Sequence, residues 1–225
     1  MRKILRVSLT GGIATGKSII SDVLKEKGCF ISKSDLIAHK LMMPGEVIWE
    51  QIVFHFGDRI LNPNKTINRK TLGAIVFSNE KERDYLNNLI HPKVLEEKKK
   101  IIEKLERDRK YKIFVSEAAL TIEAGFEKYF HKIIVAHCPD NIRVKRLMER
   151  DKISENEALK KIRSQMDNEE KIKKADYVID TSGTIEETRK RTLEIYESLL
   201  IDWKILNSLE KERKNDKKSI DKCLG

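Results

Sequence analysis

"LTGGIATGKSII", residues 9–20, sets three glycines, a lysine and a serine between an apolar run at residues 4–9 and a stretch with helical spacing. It fits the pattern G-x-x-x-x-G-K-[ST], with Gly11, Gly16, Lys17 and Ser18 at the fixed positions. Glycine lets a backbone curl without a Cβ clash, so successive N–H groups along Gly11, Gly12, Ile13, Ala14, Thr15 and Gly16 are expected to point inward at a phosphate chain. A helix starting near Lys17 adds its free N–H groups and the positive end of its dipole. Lys17 then reaches the outer phosphates, and the Ser18 hydroxyl offers a ligand to Mg²⁺. The stretch predicts a site for a nucleoside triphosphate. By itself it fits a kinase, a GTPase or a motor.

Working outward, apolar runs bounded by turn signals recur at residues 4–9, 29–31, 113–115, 133–136 and 177–179, alternating with helical patterns. That alternation predicts an α/β fold with a parallel sheet buried on both faces. The helix after the loop is expected over residues 18–27, stopping at Gly28. The last helix starts at Thr184, with Glu187 completing a capping box and Ile185, Leu193, Tyr196 and Leu200 turned to the sheet. Residues 35–110 hold helix-compatible stretches and no strand run, and residues 140–174 are short, charged and helical, with Ser154 and Glu157 as a second capping box. These read as two insertions into a core made of residues 1–34, 111–139 and 175–201, with 202–225 a charged tail, helical and fraying. Both insertions follow strands that should end at the sheet edge carrying the loop, where open α/β sheets bind ligands.

Composition narrows the classes. The 225 residues are enough for one good core with insertions, and 36% charged against 40% apolar residues is a globular balance. No apolar run approaches the roughly 18 residues that span a bilayer. Met1-Arg2-Lys3 leads directly into a short strand and the loop, so a cytoplasmic protein with no membrane partner is expected. Cys29, Cys138 and Cys223 lie far apart and indicate neither a disulfide framework nor a zinc site. The net charge of +10 invites a nucleic-acid reading. Against it, the basic residues are interleaved with acids, as in "EEKKKIIEKLERDRKYK" (residues 96–112), which reads as a solvated amphipathic helix with Ile101, Ile102 and Leu105 on one face.

Several polar residues are candidates for chemistry. Asp35 directly follows the second strand, at the edge where the γ-phosphate is expected. There it is either a carboxylate that orients an attacking hydroxyl or an N-cap for the helix from Leu36 onward. Arg143, Arg146 and Arg150 fall three and four apart on one helix, a basic stripe that either neutralises charge during transfer or pairs with Glu149 and Asp151 in water. Glu117 closes the third strand, where a carboxylate can hold Mg²⁺ through water. His91-Pro92, in "LNNLIHP", reads as a helix interrupted before proline. His39, His55, His131 and His137 form no constellation.

The order of the motifs is more specific than any one of them. "LTGGIATGKS", "SDLIAHKLMMPG" (34–45), "INRKTLGAIVF" (67–77) and "LNNLIHP" (86–92), followed by "EAALTIEAG" (117–125), "RVKRLMERD" (143–151), "IRSQM" (162–166) and "ADYVIDTSG" (175–183), together resemble the dephospho-coenzyme A kinase family. The resemblance implies a P-loop core with a five-stranded parallel sheet, a helical domain over 35–110 that binds the coenzyme A precursor, and a lid over 140–174. It implies transfer of phosphate from ATP, with Mg²⁺, to the ribose 3′-hydroxyl of dephospho-coenzyme A. Asp35 falls on the family's catalytic carboxylate and Arg146 on its lid arginine, with Arg150 beside it; Lys17 and Ser18 fall on the phosphate and magnesium positions. His91 and Glu117 join Asp35 on the acceptor side. The chain departs from the family pattern at Lys33, where a second acid is frequent, and at Ala119, Thr181 and Ile19. Two other readings are a P-loop kinase of another small molecule, such as a nucleoside monophosphate, and a nucleotide switch that binds RNA. The latter would call for N-K-x-D and clustered arginines with aromatics, neither of which is evident. The expected partners are a small-molecule substrate and no nucleic acid, in a monomer or small homo-oligomer.

Overall fold

The computed structural model describes residues 3–223, with side chains described as far as 212. Five strands, β1 (Leu5–Thr10), β2 (Phe30–Lys33), β3 (Ile113–Glu117), β4 (Lys132–His137) and β5 (Tyr177–Asp180), form one sheet in the order β2-β3-β1-β4-β5. They coincide with the five apolar runs. β1 is central, parallel to β3 with Leu9 opposite Glu117, and parallel to β4 with Thr10 opposite Val135. Side chains alternate along a strand, so Leu5, Val7 and Leu9 share one face of β1 and all three are buried, while the opposite face carries Arg6, Ser8 and Thr10. Its polar Ser8 is buried too, donating from Oγ to Thr121 Oγ1 at 3.0 Å.

Helix α1 (Lys17–Glu26) follows β1 after the glycine-rich turn, and Gly28 closes its C-terminal end at φ 85°, a conformation that costs glycine nothing. The chain divides into two compact units: residues up to Ser32 with those from Ile102 onward, and Lys33–Ile101. The first unit holds the sheet core, built on Leu5, Val7, Leu9, Ile20, Leu24, Ile113, Val115 and Ile134. It also contains α6 (Asp140–Asp151), α7 (Glu155–Arg163), α8 (Asn168–Ile172) and the long α9 (Ile185–Cys223).

Both capping boxes form. Ser154 Oγ accepts from Glu157 N–H while the Glu157 carboxylate accepts from Ser154 N–H, and Thr184 and Glu187 make the same exchange. The inward face of α9 differs from the expected one. Tyr196 and Leu200 pack on the core, but Ile185 is 64% and Leu193 36% exposed, while Thr188, Thr192 and Leu199 are buried. Counting apolar residues alone misses this face because its first two turns are threonines. Their hydroxyls donate to the carbonyls four residues back, Thr188 to Thr184 and Thr192 to Thr188, and so enter the interior satisfied. The helix continues past residue 202, where Trp203 Nε1 and Asn207 Nδ2 both donate to Lys3 O, at 3.0 Å each. Residues 224–225, the last of the expected tail, lie outside the described residues, as do the first two of the Met1-Arg2-Lys3 lead and the Cys223 side chain. Cys29 and Cys138 are free and buried.

The second unit is helical: α2 (Ser34–Leu41), α3 (Val47–Phe56), α4 (Arg69–Ser78) and most of α5 (Glu80–Asp108), around Ile48, Ile52, Phe56, Ile60, Leu72, Ile90 and Val94. The expected break before Pro92 does not occur, and α5 runs through it. A proline costs the helix one hydrogen bond and a clash with the carbonyl four residues back. Ile90 and Val94, both buried, hold the helix to the core on either side of the proline.

Candidate active site

The glycine-rich turn leaves the C-terminal end of the central strand and enters α1, with Gly16 at its N-terminal boundary at φ 77° and Ala14 also left-handed at φ 61°. Close packing fixes its start. A Cβ on Gly11 would lie 2.5 Å from Ala136 O, so β4 leaves no room there for a side chain. Lys17 Nζ lies over the turn, donating to Gly11 O at 2.8 Å and Gly12 O at 2.9 Å. Thr15 Oγ1 donates to Gly12 O at 2.8 Å, closing the turn from within. Ser18 is exposed on the first turn of α1. Glu117, at the end of β3, stands opposite Leu9 and therefore beside the point where the turn begins.

The three arginines of α6 do not form one stripe. Arg143 is 3% exposed, paired with Asp140 at 2.7 Å and donating from Nε to Ile13 O at 3.1 Å. Arg146 is half-buried and turns to the end of β5, donating from Nη2 to Thr181 O at 2.6 Å and from Nη1 to Cys138 Sγ at 3.5 Å. Arg150 is exposed and pairs with its neighbour Asp151 at 2.8 Å. Arg150 and Lys161 together hold the Asp151 carboxyl down at about 2. A helix with buried Val144 and Leu147 has an inner face, and Arg143 falls on it. Thr181 touches the turn directly, its Oγ1 donating to Thr15 O at 2.8 Å. The Ala119 carbonyl accepts from Thr10 Oγ1 and from the buried Lys171 Nζ, which also pairs with Glu123 at 2.6 Å.

In the helical unit, Asp35 occupies the first turn of α2 and is exposed. It is not the N-cap: that position is Lys33, which makes no side-chain capping bond. Over two turns of α5, from Lys98 back through Val94 to His91, the side chains face the same interior. Lys98 is buried, and its Nζ donates to Ser34 Oγ at 2.7 Å. Burial pushes the Lys98 ammonium down to about 8, with the Asp35 charge acting in the opposite direction. His91 is likewise lowered, first by burial and then by the Lys98 charge. Sequence reading passed over Lys98 because it sits in a lysine run, although the spacing 91, 94, 98, 101, 105 places it on the apolar stripe.

The buried amine has a measurable signature. Its folded pKa lies below the unfolded value, so the unfolded chain binds the extra proton. Below about pH 8 the buried charge costs stability, and the cost disappears as pH rises from about 8 to 10.5. Relative to Lys98→Met, the wild type is expected to gain on the order of 3 kcal/mol across that window. Parallel denaturation midpoints of the two proteins from pH 7 to 10.5 would show no divergence if Lys98 were solvated.

Among the described residues no cluster of His, Cys, Asp and Glu is arranged to hold a metal, and no helix is long and apolar enough to cross a membrane. A family model described as dephospho-CoA kinase matches residues 5–187. The dephospho-CoA kinase of Geobacillus kaustophilus is 42% identical over 191 residues, 85% of this chain and 94% of that protein. That of Carboxydothermus hydrogenoformans is 41% identical over 198 residues, covering 88% and 94%. The solved structure of the Campylobacter jejuni dephospho-CoA kinase superposes with a TM-score of 0.63 at 32% identity, over 86% of this chain and 96% of that one. With a phosphate-binding turn at the centre of a five-stranded parallel sheet and these relatives across nearly its full length, the chain belongs to the dephospho-CoA kinase family.

Proposed function

We propose that this protein transfers the γ-phosphate of ATP to the ribose 3′-hydroxyl of dephospho-coenzyme A, the last step of coenzyme A synthesis. The observation that carries this is the turn between β1 and α1, which combines a lysine folded over it, two left-handed residues and a helix N-terminus. Phosphoryl transfer asks a protein mainly for positioning and charge. Lys17 and the N–H groups of the inner part of the turn hold the phosphates. Arg146 contributes positive charge as the transferring group passes between oxygens, and Arg150 is assigned beside it with less support, since its guanidinium is exposed and paired. Asp35 orients the acceptor hydroxyl and takes its proton, with His91 on the acceptor side. Ser18 Oγ, exposed at the start of α1, would hold a magnesium ion, with Glu117 at the end of β3 as the acidic residue assigned beside it; the ion would supply positive charge to the phosphates. Residues 35–110 serve as the acceptor domain and 140–174 as a lid, in a cytoplasmic enzyme. Formation of ADP measured with and without dephospho-coenzyme A tests the reading. ADP production that ignores the acceptor would reject it.

Arg146→Ala is expected to reduce kcat by roughly 10²-fold while the Kd for ATP changes by less than about threefold, because charge placed on the transferring group matters most in the transition state. The Arg146–Thr181 bond gives the opposing case: an arginine that only ties α6 to β5 would lower thermal stability and leave kcat alone. Titration calorimetry beside steady-state rates separates the two.

A further inference from the structure

The assignments above leave "IRSQM", residues 162–166, without a role. Ile162 belongs to the cluster of Val144, Leu147 and Ala158, against which Ile13 and Ala14 of the phosphate turn pack. Met166 packs on Ile122, Ile133 and Val135 beneath the sheet. Between these two anchors the Gln165 carboxamide oxygen accepts from Ile13 N–H at 2.7 Å. Two residues beyond Met166, Asn168 is 5% exposed and its Oδ1 accepts from Gly12 N–H at 3.2 Å. The orientation of Asn168 is set by its other end, where Nδ2 faces His137 Nδ1 at 3.0 Å and Ala136 O at 3.5 Å. Arg143 holds the opposite side through Ile13 O, so closely that a Cβ on Gly12 would run into its guanidinium.

The N–H groups of Gly12 and Ile13 are therefore committed to side chains of the protein, and phosphate is left to the inner part of the turn. That inner part carries the left-handed Ala14 and Gly16. A non-glycine residue at positive φ is strained and persists only where its surroundings hold it.

We infer that Gln165 and Asn168 are positioning residues for phosphate binding: their carboxamide oxygens fasten the outer half of the turn and keep the inner half in its phosphate-accepting shape before nucleotide arrives. The segment after α7 is thereby fixed to the turn, and the two are one unit. This rests on the turn binding a nucleoside triphosphate. A preformed cradle lowers the ordering cost of binding and leaves the chemical step alone.

The test uses the full chain with Gln165→Met, which keeps the length of a half-buried side chain and removes the acceptor. Gln165→Glu, which keeps the acceptor, is the conservative control. In nucleotide-free protein, Ile13 amide hydrogen exchange is expected to speed up at least about tenfold in Gln165→Met, the worth of one well-made hydrogen bond, and to return toward wild type in Gln165→Glu. The Kd values for ATP and ADP are expected to rise about tenfold together in Gln165→Met. At saturating ATP its kcat should stay within twofold and its melting temperature near wild type. Unchanged Ile13 exchange, or ATP affinity within twofold of wild type, overturns the inference. Loss of kcat at saturating ATP with unchanged Kd overturns it as well. Failure of the wild type itself to bind ATP removes the nucleotide reading, an outcome distinct from equal binding by wild type and variant.

Discussion

Lys17→Ala is expected to lower phosphoryl transfer by about 10²- to 10³-fold while the fold survives. The magnitude is that of removing one fixed donor aimed at charge that develops in the transition state. The structure shows why the side chain is well placed to act: its ammonium is held over the turn by two short bonds to Gly11 O and Gly12 O. A lysine stem of four rotatable bonds is otherwise mobile, and this anchoring reduces the entropy lost when phosphate replaces or joins the carbonyl partners. Gly11 and Gly12 are buried, and Gly12 O keeps its bond from Thr15 Oγ1, so each lost bond is expected to cost about 1 kcal/mol of stability, too little to unfold the protein. Retention of more than a tenth of wild-type kcat, with ATP at saturation, would contradict the assigned role. A protein that unfolds on this substitution would show instead that Lys17 is a structural clasp, and a melting curve separates that case from lost chemistry.

The fold was legible because its signals are local. Five short apolar runs, each bounded by turn residues, coincide with the five strands, and a glycine-rich pattern between the first run and a helix marks the central strand by its chemistry. Where sequence reading departed from the structure, tertiary contacts decided the outcome. Pro92 does not break α5 because buried neighbours hold the helix on both sides. Thr188 and Thr192 replace Ile185 and Leu193 on the inner face of α9 because a back-bonded hydroxyl is cheap to bury, which no hydropathy pattern records. Spacing put Arg143, Arg146 and Arg150 on one helix, but their partners lie 130, 35 and one residue away, and those contacts give them three different environments. Gln165 was visible only as part of the stretch IRSQM, without a role, and Asn168 carried no signal of its own. An amide side chain is equally at home in water or on a backbone N–H, and only the fold brings the turn to it. Lys98 did carry one, its place on the stripe through Val94 and Leu105, concealed by the lysines around it.

Asp35→Asn joins the two kinds of evidence, since the residue was read from its place in the chain and its neighbours come from the structure. A ribose hydroxyl is a poor nucleophile at neutral pH and water competes with it, so the acceptor needs a carboxylate to orient it and receive its proton. Asparagine keeps the size and removes the charge and the second acceptor oxygen. The expected result is near-normal affinity for ATP and dephospho-coenzyme A with kcat down at least roughly 10²-fold, the lower end of general-base contributions. The helix-cap alternative predicted no change, because asparagine caps as well as aspartate; with Lys33 at the N-cap, that alternative no longer competes. A different one takes its place. The Asp35 charge opposes the desolvation of the buried Lys98 ammonium, so losing it drives the Lys98 pKa further below about 8 and could disturb α2 through Ser34. The double variant Asp35→Asn/Lys98→Met decides between them. If Asp35 merely balances Lys98, removing both charges restores the rate; if it serves the acceptor hydroxyl, the double variant stays as slow as the single one. An active Asp35→Asn enzyme would end the catalytic assignment outright, and a rescued double variant would move Asp35 from catalysis to support.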